Sequence, residues 1–130
     1  MIAQTRGIHA YRQVQAESRS PLELVVMLYD GALANLAQAA AAAARGDLRQ
    51  RGTAITKTLA IVGTLQEGLN LTEGGAVAEE LDRLYVYTTS RLLDVTTKHD
   101  ATGIAEIQKL FGGLRDAWSQ IAMPPSQASA

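Results

Sequence analysis

Cysteine is absent from the 130 residues, and phenylalanine and tryptophan occur once each. The missing thiols exclude disulfide scaffolds, thiolate zinc sites and cysteine nucleophiles together, and the absence suits an intracellular chain. A charge excess of one sign is missing too. Twelve Lys+Arg face 13 Asp+Glu for a formal net charge of -1, so the basic footprint of a nucleic-acid binder is not present. Histidine is scarce: His9 and His99 each lack a helical His or Glu partner at metal-ligand spacing. No glycine-rich loop leads into Lys-Ser/Thr as phosphate binding requires, and the neighbours Glu79 and Glu80 point apart on a helix rather than forming a carboxylate dyad. These absences leave no catalytic residue, no metal site and no cofactor site to name.

Long apolar runs are short of what a bilayer needs. Residues 1–7 lack the apolar stretch of a secretory signal. The longest uncharged run in the central chain, residues 31–44, is 14 residues and mostly alanine, which predicts no stable membrane insertion. The chain reads as soluble and cytoplasmic.

Proline is confined to positions 21, 124 and 125. A proline inside a helix costs about 3 kcal/mol, so residues 22–123 are free to form long helices, and 22 alanines favour them. The expected organisation is an N-terminal arm (1–19), a helical body (20–123) and a disordered polar tail (124–130). Ser20-Pro21-Leu22-Glu23 has the form of a capping box with proline at the first helical position. It predicts a helix to about Ala44, stopped by a left-handed Gly46. Asp47 then caps a second helix, with Gln50 in the reciprocal position. Its apolar face carries Leu48, Ile55, Leu59, Val62, Leu65 and Leu69, and a loop over 70–75 ends it. A third helix presents Val77, Leu81, Leu84, Leu92 and Val95, widened by Tyr85, and ends near His99. The fourth has the cleanest period: Ile104, Ile107, Phe111, Leu114, Trp118 and Ile121. Short connections make the expected fold all-α, an antiparallel four-helix bundle, with the arm or a short helix capping one face.

Some features carry less than they suggest. Arg45-Gly46-Asp47 spells an integrin-binding tripeptide, but it falls where one helix stops and the next is capped. Gly74-Gly75 reads as a loop, and Gly112-Gly113 as a close-packing or bending point in the last helix.

The informative excess is apolar. Leu24-Val25-Val26-Met27-Leu28-Tyr29 is six apolar residues in succession, and at about 100° per residue they cover the whole circumference of a helix. One bundle core cannot shelter them all. Ile8, Tyr11 and Val14, spaced three apart in the arm, can form a turn that covers the outer part; a second copy of the chain or another protein are the other candidates, which leaves room for a homodimer. Tyr87 and Arg91, one turn apart, can stack ring on guanidinium and are read as a surface contact.

These segments resemble a known family, the flagellar secretion chaperone FliS. Residues 20–31 are similar to its S-P-x-E-L-x-x-M-L-Y-D-G signature, Leu84 to Leu92 to its L-Y-x-Y-x-x-x-R-L pattern, and Leu114 to Trp118 to its L-R-x-x-W ending. Tyr11 matches an aromatic of the family's arm. The resemblance implies a cytoplasmic chaperone that binds the C-terminal region of flagellin, blocks premature polymerisation and presents the loaded complex to the export gate. It implies a client held as extended and helical segments around the bundle, with the arm able to occupy part of the client groove. Ile8, Tyr11, Val14, Leu24, Met27, Leu28, Tyr87 and Arg91 are the expected partner-binding residues. Two other classes are weaker fits. A histidine phosphotransfer domain needs an exposed mid-helix histidine, whereas His99 falls at a helix end, and a small all-α enzyme needs a polar pocket where the expected inward positions are almost all aliphatic.

Overall fold

Pro21 opens the first helix as its pre-set φ favours, and a computed structural model describes residues 21–70 and 74–122 as four helices. They are α1 (Pro21–Ala44), α2 (Leu48–Glu67), α3 (Gly75–Lys98) and α4 (Thr102–Ala122). The arm, Ser20 of the expected capping box and the tail from residue 123 lie outside the described residues.

The α1–α2 turn follows from its sequence. Gly46 takes φ 74, its amide donates to the Ala43 carbonyl at 3.1 Å, and the Asp47 amide donates to the Ala42 carbonyl at 2.9 Å. This is a Schellman stop, which glycine makes without steric cost. Asp47 Oδ1 then accepts from the Gln50 amide at 3.0 Å and caps α2. The reciprocal role expected of Gln50 has no donor to serve, because the Asp47 amide is already spent on Ala42. At the α3–α4 turn, His99 closes α3 in the left-handed conformation, φ 53.

The helices form a ring in which α1 packs on α2 and α4, and α3 packs on the same two. Short turns make each neighbouring pair antiparallel, so α1 and α3 begin at the end where α2 and α4 finish. Alanine lets the α1–α2 contact close tightly: Ala32, Ala39 and Ala42 are fully buried beside Leu36 and Tyr29. Gly31 belongs to the same contact, since a Cβ there would stand 3.3 Å from Ile61 Cδ1. Ile55, Val62, Leu92, Val95, Ile104, Ile107 and Phe111 complete the core.

Several expected inward positions lie elsewhere. Leu48 is 52% exposed, Val77 68% and Ile121 62%; each sits in the first or last turn of its helix, where fewer facing side chains remain to cover it. Arg51, Thr58 and Thr88 are buried instead, so the interior is less aliphatic than the sequence suggested. The Thr58 hydroxyl is satisfied by donating to the Ala54 carbonyl at 2.9 Å, and Arg51 donates to His99 Nδ1 at 3.3 Å. A Cβ on Gly112 or Gly113 would meet no atom within 4 Å, so neither is a close-packing point.

As a whole, α1 is more apolar than its uncharged run implied: by length and hydropathy it could cross a membrane. Its stripe of Leu24, Tyr29, Ala32, Leu36, Ala39 and Ala42 is buried within the bundle, but only 28% of its most apolar stretch is buried, so core packing accounts for one face of the helix and not for the rest.

Candidate functional site: an apolar cleft at one end of the bundle

At the end where α1 and α3 begin, the helices part around a cleft of about 490 Å³. Pro21, Leu22, Val25 and Leu28 of α1 form one wall, and Val77, Ala78 and Leu81 of α3 the other. Leu65 and Leu69 close it from the end of α2, while Tyr85 and Trp118 contribute aromatic surface. Glu67 and Asn70 supply polar groups to an otherwise mainly apolar lining. A concave apolar surface with few polar groups is the usual form of a binding site.

Beside the cleft lies an aromatic cluster. The Tyr29 ring stands 5.0 Å from Phe111 and that of Tyr85 6.4 Å from it, distances at which tilted and edge-on aromatic pairs are favourable. The two tyrosine hydroxyls share a buried hydrogen bond of 2.6 Å, and this joins α1 to α3 across the diagonal of the ring. Burial raises the pKa of both phenols above the ordinary value, because the anion would lose its hydration. Asp30, next to Tyr29, takes Arg115 Nε at 2.7 Å and its second prong at 3.4 Å, tying α1 to α4.

Tyr87 and Arg91 converge on the same acid. The Tyr87 hydroxyl donates to Glu106, Arg91 Nε donates to the other carboxylate oxygen at 2.7 Å, and Arg91 reaches Asp100 at 2.9 Å and Thr102 at 3.0 Å. These contacts fasten α3 to α4. The Tyr87 hydroxyl and then Arg91 hold the Glu106 carboxyl below its usual range. The Thr102 hydroxyl and then Arg91 do the same for Asp100. Both acids regain ordinary values on unfolding, so the clamp contributes stability above about pH 4 and loses it as pH falls through the lowered folded values. The wild-type melting temperature is expected to drop more steeply on acidification than that of Arg91→Met. Parallel curves in a thermal melt series would remove the clamp from the stability of the fold.

Each expected partner residue thus has a place, or lies outside the described residues, as do Ile8, Tyr11 and Val14. Leu28 lines the cleft. Leu24 turns inward and is 5% exposed, while Met27 is 45% exposed but lies outside the cleft lining. Tyr87 and Arg91 are hydrogen-bonded within the chain, and Tyr87 is still 46% exposed. Sequence reading missed Leu22 and Val25 as cleft walls, and assigned Leu69, Val77 and Leu81 only to the core. Their position at converging helix ends was the available signal. Among the described residues no three His, Asp or Glu side chains come together as a metal site.

A family model, Flagellar protein FliS, matches residues 4–125. The chain belongs to the FliS family. The flagellar secretion chaperone FliS of Salmonella typhimurium is 38% identical over 121 residues, covering 89% of this chain and 90% of that protein. FliSB of Pseudomonas aeruginosa is 33% identical, covering 90% and 96%, and FliS of Vibrio cholerae is 30% identical, covering 92% and 89%. The family signatures acquire a physical meaning in this fold. Tyr29 and Asp30 of the first meet Tyr85 of the second and Arg115 of the third, and Trp118 of the third lines the cleft beside Tyr85. The three segments that resemble FliS thus tie the first helix to the third and fourth, while Arg91 of the second fastens the opposite end of the bundle through Asp100 and Thr102.

Proposed function

We propose that the chain is a cytoplasmic export chaperone, without enzymatic activity, that binds the C-terminal region of flagellin, prevents its premature polymerisation and delivers it to the flagellar export gate. The observation that carries this reading is the cleft, an apolar surface built from FliS signature residues and their neighbours. A client segment seats aliphatic side chains there. Each one fully buried contributes about 1.5–3 kcal/mol, while ordering the backbone costs about 1–2 kcal/mol per residue. A few anchors in one cleft therefore hold only a short segment. A longer client needs further contacts, for which Val86 and Leu93, each about half exposed on α3, are available.

Ile8, Tyr11 and Val14 of the arm belong to the same proposed partner-binding set. Calorimetry with a peptide from the C-terminal region of flagellin of the same organism tests the reading. One-to-one binding is expected, and no heat at micromolar concentration would overturn it. A stoichiometry of one peptide to two chains would contradict the monomeric mode and favour a homodimer.

A further inference from the structure

Charge is unevenly placed along the chain. Residues 31–66 carry four cations, Arg45, Arg49, Arg51 and Lys57, against the single acid Asp47. The remaining residues hold 8 bases and 12 acids, so the α1–α2 side is positive in a chain that is otherwise acidic. Neither helix supplies the balancing carboxylates: α1 has no charged residue after Asp30, and α2 has no acid before Glu67, its last residue. Among the described residues Arg45 has an ion pair only with Asp47, a loose one at 3.7 Å, and Arg49, Arg51 and Lys57 have none. Arg51 is 5% exposed, and its Nε has no acceptor. The His99 imidazole that it reaches brings no negative charge. A buried cation without a counter-ion adds to the positive potential felt by whatever approaches this side.

Part of the positive side is concave. Arg45 and Lys57 converge with Gln38, Gln50 and Thr53 on a cleft of about 230 Å³ between α1 and α2, whose other lining is alanine. The Thr53 hydroxyl is spent on the Arg49 carbonyl at 3.1 Å. Two cations and two side-chain amides, all hydrogen-bond donors, therefore meet there with no carboxylate in the lining. Because α1 finishes where α2 begins, their dipoles oppose one another, and the side chains set the sign.

We propose that this cleft docks an acidic segment of a partner protein, one that presents neighbouring Asp or Glu side chains to Arg45 and Lys57. Its volume is below the range of about 300–1,000 Å³ usual for small-molecule pockets and suits one or two carboxylate side chains. A nucleic acid gains at this one cleft and is repelled by the acidic remainder of the chain. The site lies toward the end of the bundle opposite the apolar cleft, so an acidic partner and a client can be held together.

Hexaglutamate is the probe, titrated into the full chain at low ionic strength and followed by amide NMR. The resonances of Gln50, Thr53 and Lys57 are expected to move and saturate, and added salt to weaken the binding. Arg45→Gln combined with Lys57→Gln is expected to weaken it about fivefold or more. Arg83→Gln, which removes an exposed cation paired with Glu80 on α3, is expected to leave it unchanged. Equal losses for these variants, or shifts that miss the cleft, would overturn the proposal; the wild-type shift map decides alone should the double variant fail to fold. Inorganic phosphate or a DNA hexanucleotide that competes at equal concentration would overturn it in favour of a general anion site. Lys57→Gln is expected to leave affinity for the flagellin peptide unchanged, and a loss there would assign the cleft to the client rather than to a second partner.

Discussion

Phe111→Ala is expected to lower the stability of the chain by about 3–5 kcal/mol, a large share of what a small domain has. The ring is fully buried and touches both tyrosines of the diagonal pair. Its removal leaves a cavity between α1, α3 and α4 that helix backbones cannot close without sliding past one another. It also takes away the surface against which the Tyr29–Tyr85 hydrogen bond is held. Urea unfolding followed by circular dichroism reads the change. A loss below about 1 kcal/mol would place Phe111 outside the tightly packed interior.

Leu28→Glu is expected to weaken binding of the flagellin peptide by about thirtyfold or more, as for the loss of a central interface anchor. Leu28 is half-buried on the α1 wall of the cleft, so a carboxylate there meets the client's apolar side chains and loses water when they arrive. The neighbouring Met27→Glu makes the same charge change on a surface outside the cleft lining. It is expected to alter affinity by only a few-fold, in keeping with the small effect of peripheral charges. Equal losses for the two variants would show that charge on α1, rather than the cleft, governs the client.

The helix count and most helix ends were legible because the signals were local. Pro21, Gly46, Asp47 and His99 act within a few residues of themselves, and each marks a boundary in the structure. Most of the apolar period of α4 also holds, with Ile104, Ile107 and Phe111 buried. The cleft was harder to read because it is a property of how four helix ends converge. Leu69 and Val77 flank a loop, and only the antiparallel arrangement brings them opposite Val25 and Leu28. The run from Leu24 to Tyr29 did signal surplus apolar surface. Which members face inward depends on the neighbours, and Leu24 and Tyr29 are core while Val25 and Leu28 are wall.

Charged and phenolic residues were the hardest to assign. Arg91 has the composition of a partner contact, yet Glu106 and Asp100 lie 15 and 9 residues away in sequence and become its partners only when α3 and α4 fold together. Arg51 is similar: an arginine at an inward position reads as a mismatch until His99 arrives from the far end of α3. Tyr29 and Tyr85 are 56 residues apart, and no periodicity within either helix announces their hydrogen bond.

Trp118 is the only tryptophan in the chain and lines the cleft, so its fluorescence reports occupancy at that place alone. Titrating the full chain with a tryptophan-free peptide from the flagellin C-terminal region is expected to shift the emission to the blue and to saturate with the calorimetric affinity. Calorimetric binding that leaves the Trp118 emission unmoved would mean that the client seats elsewhere, and the cleft would lose its role.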